Sequence, residues 1–468
     1  MTRTCAACGR ANDDDASFCQ QCGSPLSAPA GAQARAGAGR PPAVPPPGAP
    51  PPSSARRGTR APPWLVVLVV AAVVALAAVM VFAFVPRGGG EGENGQSPAS
   101  TSGGTVTPEQ SPGLSEYLAG AVGARADRLA AILSDGSVRP VARFGGQQIR
   151  HLAYSPEGEW LACVEGTSRR SELWLFDTAT GDARQATANT PDVVAVDSVA
   201  WLSETELLLA GYTETPSSAG QNADFLVYDT GSREVTPLAA GGAALRGVSV
   251  SASADGGTVA FVTYSESKTD NSGTVTAVER LEVLDRSSGE VSVLGKDKAY
   301  LEVNARAFDD PLISPGGQAI IYRRAGSDVG TAYTVVGIGG SVLMPAKEAL
   351  MPAGYAWDPE GTKVVFTGQP LTASGDDAPV VFWQFDTQTG EAPTVLARYA
   401  GAAVQSLAWS PDGTSIAWAA YDKQKDWRTG DIKLMPATGG ESTTLVKEAL
   451  SPAWAPGAAE PLQTSPSP

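Results

Sequence analysis

The longest apolar stretch of the chain covers residues 64–85, WLVVLVVAAVVALAAVMVFAFV, and contains no charge, no Pro and no Gly. At about 1.5 Å per residue, a helix of this length reaches about 33 Å, enough to cross a hydrocarbon core of about 30 Å. A cleaved signal peptide has a shorter apolar core, close to the N-terminus. The pattern therefore predicts a single transmembrane helix.

A second pattern begins at residue 114, where a short phrase recurs that ends in Pro, an acidic residue and Gly. Its clearest copies are AYSPEG at 153–158, AWDPEG at 356–361 and AWSPDG at 408–413. Pro presets the first turn position and Gly takes the left-handed one, so each phrase predicts a turn between two strands. The seven positions equivalent to Pro lie 44 to 61 residues apart, the spacing of four-stranded propeller blades: 156, 203, 254, 315, 359, 411 and 456.

Apolar runs rich in β-branched and aromatic residues follow each phrase, which predicts strands. Six complete units span about 150–448, and the predicted strands outside this range add up to one further unit. Residues 450–454 resemble a first strand, whereas 117–122, 129–133 and 138–142 resemble a second, third and fourth. We therefore predict an all-β fold, a β-propeller of seven blades closed by both chain ends, with six blades as the alternative.

Charges around the apolar span predict its orientation. Arg56, Arg57 and Arg60 precede it, whereas Arg87 alone follows closely. Lys and Arg are enriched on the cytoplasmic side, so the N-terminus is predicted to be cytoplasmic and the C-terminal domain extracytoplasmic, in the cell membrane. Residues 1–85 carry a net charge of +4 within a total of −15, which leaves −19 for the rest. So acidic a domain disfavours nucleic acid as a partner.

The cytoplasmic head carries two CxxCG knuckles ten residues apart, and four of the five Cys of the chain lie in them: Cys5, Cys8, Cys19 and Cys22. Two such turns supply a closed tetrahedral set of thiolates, the geometry of a structural Zn²⁺ site. Residues 3–26 resemble the short zinc-ribbon heads of many prokaryotic membrane proteins. The alternative is a pair of redox CxxC motifs, which usually needs a βαβ context. The cofactor prediction is one structural zinc ion.

These patterns predict six segments. They are a zinc ribbon at 1–26, a Pro/Ala/Gly-rich linker at 27–63, the membrane helix at 64–85, a polar linker at 86–113, the propeller at 114–457 and a tail at 458–468. Cys163 alone lies beyond the helix, so no intrachain disulfide is expected there.

The WSPDG phrase with its following apolar strand resembles the TolB-type propeller repeat, which is related to the tryptophan–aspartate repeats. The resemblance covers most of 114–457 and is weak at 200–240 and 312–345, where the Trp, Pro or acidic residue is missing. It implies a binding platform in the cell envelope, or a gating domain attached to a peptidase. Trp201, Trp357, Trp409 and Trp454 occupy equivalent repeat positions and are predicted to pack.

Chain direction alternates through a blade, so short first–second and third–fourth turns share one face. The second–third loops and the links between blades share the other, and the extra length accumulates there, at 211–223, 264–278, 295–311, 368–379 and 421–430. Long loops on a rigid scaffold often bind partners, although solvated loops have the same composition. The candidate binding residues on this face are Lys268, Asp270, Lys296, Lys298, Asp309, Asp310, Asp376, Asp377 and Trp427.

Catalytic motifs are weak. The chain has one His, His151, in a predicted first strand beside Leu152 and Tyr154, and we interpret it as structural. Ser265 and Lys268 match SxxK within a polar stretch, and Asp309-Asp310 is an acidic pair with no regular Ca²⁺ loop. The sequence favours a non-catalytic platform that binds an envelope protein or peptide. The alternative is a propeller hydrolase or lyase with its active site in the central channel.

Overall fold

The computed structural model describes residues 2–4, 11–13, 106–108 and most of 114–458. Within 114–458 the description omits 115–117, 124, 146, 191, 217–220, 266, 270–274, 301–307, 327–329, 350–353, 371–377, 401, 423–429 and 457. The chain divides into two compact units, Met1–Ala28 with Gly104–Pro468 and Pro29–Gly103. All described residues belong to the first unit.

Several predicted segments lie outside the described residues. They are the four Cys ligands, both linkers apart from 106–108, the apolar span 64–85 and the tail beyond 458. In the part of the chain that the structure describes, no helix has the length and apolar character to span a membrane. Three short strands are described before residue 114: β1 (Thr2–Thr4), β2 (Ala11–Asp13) and β3 (Val106–Pro108). β1 and β2 pair antiparallel.

Antiparallel strands make up nearly all of the rest. The first three are β4 (Leu118–Val122), β5 (Arg128–Ile132) and β6 (Val138–Phe144). Next come β7 (Ile149–Tyr154), β8 (Trp160–Thr167), β9 (Arg170–Asp177) and β10 (Ala183–Gln185), followed by a 3₁₀ helix at Thr187–Asn189. The stretch from 195 to 300 contributes β11 (Ala195–Trp201), β12 (Glu206–Tyr212), β13 (Ala223–Asp229), β14 (Val235–Pro237), β15 (Ala239–Ala240), β16 (Ala243–Ala244), β17 (Arg246–Ala252), β18 (Thr258–Tyr264), β19 (Lys268–Thr269), β20 (Val275–Asp285) and β21 (Glu290–Tyr300).

The C-terminal part continues the same pattern. Two runs of four strands come first, namely β22 (Asp309–Ile313), β23 (Ala319–Gly326), β24 (Gly330–Gly337), β25 (Val342–Ala349), β26 (Tyr355–Trp357), β27 (Lys363–Gly368), β28 (Val380–Asp386) and β29 (Thr394–Tyr399). The last strands are β30 (Ala402–Trp409), β31 (Ser415–Asp422), β32 (Gly430–Pro436), β33 (Thr443–Val446) and β34 (Ala449–Trp454).

These strands form a β-propeller, and the number of separate blades differs from the prediction. Five sheets of four or five strands stand apart: β7–β10, β22–β25, β26–β29, β30–β33 and the sheet β3-β6-β5-β4-β34. The repeats of 195–300 instead share one sheet of nine strands, because Ala223 and Asp224 of β13 pair with Gly247 and Arg246 of β17. A Cβ at Gly247 would meet Val262 O at 2.6 Å, so Gly permits this close approach. The prediction of seven separate blades, with six as the alternative, is therefore wrong. Five blades are separate, and the repeats of 195–300 are joined in the nine-stranded sheet.

Both chain ends build one sheet, as the sequence predicts. The C-terminal strand β34 pairs antiparallel with β4, with Trp454 opposite Leu118 and Ala449 opposite Val122. β5 and β6 complete the sheet, and β3 adds an outermost strand within the segment 86–113, which the sequence predicts to be a linker. This pairing joins the first and last repeats, so neither leaves its sheet edge open to another chain.

The repeated Trp residues connect neighbouring units, which confirms their predicted structural role. Each indole N–H donates to a first-strand carbonyl of the preceding unit: Trp201 to Ala153 (2.9 Å), Trp357 to Leu312 (3.0 Å), Trp409 to Ala356 (3.1 Å) and Trp454 to Ala408 (3.1 Å). The core lies between the sheets, where apolar residues of adjacent units are buried against each other. The packing of each indole ring and the hydrogen bond of its N–H therefore both stabilise the interface between neighbouring units.

One turn is tied to its neighbour by a carboxylate. Glu204 accepts hydrogen bonds from Ser155 Oγ, from Glu157 N at 2.7 Å and from Glu159 N at 3.0 Å. In the equivalent turn at 410–413, the acceptor is Asp412 of the turn itself, which accepts hydrogen bonds from Ser410 Oγ and from Thr414 N at 3.0 Å. Glu204 thus replaces an Asp that the first turn lacks.

We expect Glu204→Ala to lower the free energy of unfolding by about 2 kcal/mol, because several donors lose a charged acceptor. Glu157→Asp restores the SPDG phrase in the first turn and is expected to recover part of the loss in the double variant. Urea unfolding of both variants measures the effect. An equal loss with and without Glu157→Asp would contradict the proposed substitution of one carboxylate for the other.

Candidate binding site

The first strands of neighbouring units contact one another and surround the centre of the propeller. Six of them, β7, β11, β17, β22, β30 and β34, break register with their second strands. Such bulges bend a strand and redirect side chains. They place a polar residue at the same repeat position in each unit, three before the end of the strand: His151, Ser198, Ser249, Asp310, Ser406 and Ser451. We call these six residues the bulge ring.

Hydrogen bonds between first strands differ around the bulge ring. Asp197 Oδ2 accepts from Ser249 N at 2.8 Å, and Ser198 Oγ accepts from Val250 N at 2.9 Å. The position equivalent to Val250 in β34 is Pro452, which has no N–H. Within the described part of the chain, the buried Oγ of Ser406 accordingly lacks a partner. Within the bulge ring, Ser198 is therefore hydrogen-bonded to the first strand of the next unit, whereas Ser406 makes no equivalent bond among the described residues.

The one His lies in the bulge ring, on β7. Desolvation by the surrounding strands and the neighbouring Arg150 lower the pKa of His151 to about 4, against the opposing effect of Asp197. Burial also lowers the pKa of Arg150. At neutral pH the imidazole is uncharged and a weak base. A general base works best with a pKa near the operating pH, so His151 is poorly suited to that role.

The structure places some of the predicted face residues on strands. Lys268 lies on β19, and Lys296 and Lys298 lie on β21, which runs to Tyr300. The predicted loop 295–311 is therefore wrong in its first half, because β20 and β21 form a hairpin of eleven-residue strands. Four other candidates, Asp270, Asp376, Asp377 and Trp427, lie outside the described residues.

Asp309 and Asp310 begin β22 and bind one guanidinium. Arg323 Nε donates to Asp309 Oδ2 at 2.9 Å, and its Nη2 also donates to Asp309 and, at 3.2 Å, to Asp310 Oδ2. Burial opposes the charged guanidinium, but Asp309 and Asp310 outweigh it and raise the pKa of Arg323. Tyr355 donates its hydroxyl to Asp310 O. These two carboxylates thus stabilise the start of a first strand.

Ser265 Oγ accepts from Val278 N at 2.9 Å, so the Ser of the SxxK match helps to close a hairpin. No group of three or more His, Cys, Asp or Glu suited to a metal ion occurs within the described ranges. Cys163 is a buried free thiol whose pKa is raised by burial and by Glu165.

Sequence reasoning missed a pair of carboxylates on the hairpin of β8 and β9. Glu165 and Glu172 are directly opposite each other. Glu165 is only 3 % exposed, and its Oε2 has no hydrogen-bond partner among the described residues. Burial and the repulsion from Glu172 raise its pKa to about 7. The spacing of the two Glu residues on either side of a tight hairpin could have predicted that they lie opposite each other.

Taken together, the strands define a β-propeller protein. No family model and no curated protein matches the chain. Similar solved structures include TolB from Acinetobacter baumannii, with 16 % identity, a TM-score of 0.42, and coverage of 74 % of this chain and 68 % of that one. Oligogalacturonate lyase in complex with manganese has 14 % identity, a TM-score of 0.47 and coverage of 74 % and 86 %. The lyase from Vibrio parahaemolyticus has 12 % identity, a TM-score of 0.46 and the same coverage.

Proposed function

We propose that this protein is a non-catalytic binding platform of the cell envelope, in which the long-loop face of the propeller holds a protein or peptide partner. The long-loop face comprises the second–third loops and the links between units, together with the ends of β20 and β21 farthest from their shared turn, residues 275–280 and 295–300. In this proposal the span 64–85 anchors the propeller outside the cytoplasm. Cys5, Cys8, Cys19 and Cys22 hold one structural Zn²⁺ in the cytoplasm.

The observation that carries the proposal is the contrast between the two faces. On the turn face, the Asp residues that end third strands accept hydrogen bonds from their own turns: Asp177 from Thr180 N (2.9 Å), Asp229 from Ser232 N (2.6 Å), Asp285 from Ser287 N (2.8 Å) and Asp386 from Gln388 N (2.8 Å). These carboxylates serve the fold. The long-loop face instead presents exposed charged residues, including Glu214, Lys268 and Lys296. Binding residues typically lie on such segments of a rigid scaffold.

The low pKa of His151 also favours binding over acid–base catalysis. With a pKa near 4, its imidazole is neutral at pH 7 and has one hydrogen-bond donor and one acceptor. The bulges fall in the half of these first strands nearer the links between units.

Photo-crosslinking from single positions tests the proposal in cells that make the full-length protein. A photoreactive residue at Glu214 or Lys268, both exposed on the long-loop face, is expected to give a discrete adduct. The same residue at Ser288 or Gln388, both exposed on the turn face, serves as the matched control. Adducts of equal yield from the two faces, or from the turn face alone, would refute the assignment.

A further inference from the structure

The β20–β21 hairpin, with β19 beside it, separates charges between its two faces. Residues directly opposite each other, and residues two apart on a strand, share a face of a sheet. Lys268 is opposite Thr276, and Lys296 is opposite Arg280. Since 276 and 280 lie on the same face of β20, the three cations Lys268, Arg280 and Lys296 occupy one face, which we call the basic strip.

The opposite face carries two acidic residues at the same end of the hairpin. Glu279 and Asp297 are opposite each other on β20 and β21, one position away from Arg280 and Lys296. Glu279 accepts from Tyr264 Oη at 2.9 Å, and Asp297 accepts from Arg324 Nη2 at 2.7 Å. The acidic face is thus engaged with the rest of the propeller.

The centre of the basic strip is a like-charge pair. Directly opposite residues have Cβ atoms about 5 Å apart, and two cations at this distance destabilise the sheet. Arg280 and Lys296 are such a pair, and neither has an acidic side chain within salt-bridge distance among the described residues. The nearest carboxylate on this face, Glu282, accepts instead from Thr263 Oγ1 at 3.1 Å. A bound anion would relieve the repulsion.

We propose that the basic strip binds an extended, acidic segment of the partner protein, with carboxylates at alternate positions. Positions two residues apart along β20 are about 7 Å apart, and the cations stand at the levels of residues 276 and 280. An extended peptide repeats its side chains on one face with the same period, so Asp or Glu at alternate positions match the strip. The proposal names the kind of partner for the long-loop face and therefore rests on the proposed function.

Charge elsewhere on the domain adds selectivity. The chain beyond residue 85 carries a net charge of −19, which repels an acidic segment from most of its surface. On the adjoining unit, Asp224 is paired with Arg246 at 2.7 Å. The acidic segment is accordingly held where unpaired cations are adjacent, and its binding is expected to weaken as salt screens these charges.

Fluorescence anisotropy with the full-length protein tests the proposal. The probes are a short labelled peptide with alternating Glu and Thr, a peptide of the same composition with its Glu residues consecutive, and the alternating peptide with Gln for Glu. We expect the alternating acidic peptide to bind most tightly. Replacing Arg280→Gln and Lys296→Gln together is expected to weaken its binding about tenfold, for the loss of two ion pairs.

Lys363→Gln is the matched control, since Lys363 is exposed at the turn-face end of β27. Loss of folding does not explain weaker binding in the double variant, because removing a like-charge pair is expected to leave the melting temperature equal or higher. Equal affinity for the alternating and consecutive peptides overturns the proposal, as does tighter binding of polygalacturonate, an anionic polysaccharide. If the long-loop crosslinks persist unchanged in the double variant, the binding platform stands and the acidic segment is ruled out.

Discussion

Replacing Gly256 with Ala is expected to lower the free energy of unfolding by about 3 kcal/mol, the sum of backbone strain and steric overlap. Gly256 has a φ of +63°, a conformation that side chains disfavour. A Cβ built there would lie 1.7 Å from the carbonyl oxygen of Leu202. Because the obstacle is backbone of the preceding unit, no side-chain rotation relieves it. The two turns would have to separate.

Gly289→Ala is the matched control for this variant. Gly289 has a similar φ of +71°, but no atom lies within 4 Å of the position that its Cβ would occupy. It is expected to cost about 1 kcal/mol, the strain alone. Urea unfolding of both variants by circular dichroism gives the two values. Equal losses would mean that the contact between Gly256 and Leu202 contributes little to the stability of the propeller.

The second large effect concerns pH. Glu165 has a pKa of about 7 in the folded protein and an ordinary value of 4.5 when unfolded. Between these values the folded state binds more protons than the unfolded state, so stability falls as pH rises from about 4.5 to about 7. With allowance for solvent screening, the loss amounts to about 2 kcal/mol. Above pH 7 the whole penalty of the buried carboxylate is present.

Glu165→Gln is expected to remove this dependence and to stabilise the protein by about 2 kcal/mol at pH 8. The pKa of His151, lowered from 6.5 to about 4, acts in the opposite direction, because the unfolded state binds more protons in that range and stability is lost as pH falls. The difference between the wild type and the variant isolates Glu165.

Unfolding midpoints from pH 4 to pH 8 provide the measurement, with Glu290→Gln as the control on the exposed edge of β21. The control is expected to follow the wild type throughout. Parallel curves for the wild type and Glu165→Gln would show that the pKa of Glu165 is not raised by burial and by Glu172.

Local patterns predicted much of the fold correctly. Turn phrases such as Ser410-Pro411-Asp412-Gly413 act within a few residues, so their position in the sequence is enough to place a turn between two strands. The surplus first strand near the C-terminus and the surplus strands near residue 120 predicted the closing sheet. The Trp residues were assigned to packing from periodicity alone, and their indole hydrogen bonds agree.

The misassigned segments depended on contacts between distant residues. The strand β21 continues through Gly295-Lys296-Asp297-Lys298, a polar run that resembles a loop until it pairs with β20. The joining of β13 to β17 depends on two residue pairs and on the absence of a side chain at Gly247. The raised pKa of Glu165 depends on its burial and on Glu172 across the hairpin.

The sequence by itself determined the repeat, the turn chemistry and the closure by the first and last strands of the propeller, because each follows from residue spacing and local preference. Only the tertiary structure decided which charges are compensated. Asp309 is bound to Arg323, whereas Arg280 is opposite Lys296, and this contrast arises from strand register, which sets neighbours that the linear order does not show. For that reason the candidate partner surface moved from a set of loops to one face of a hairpin.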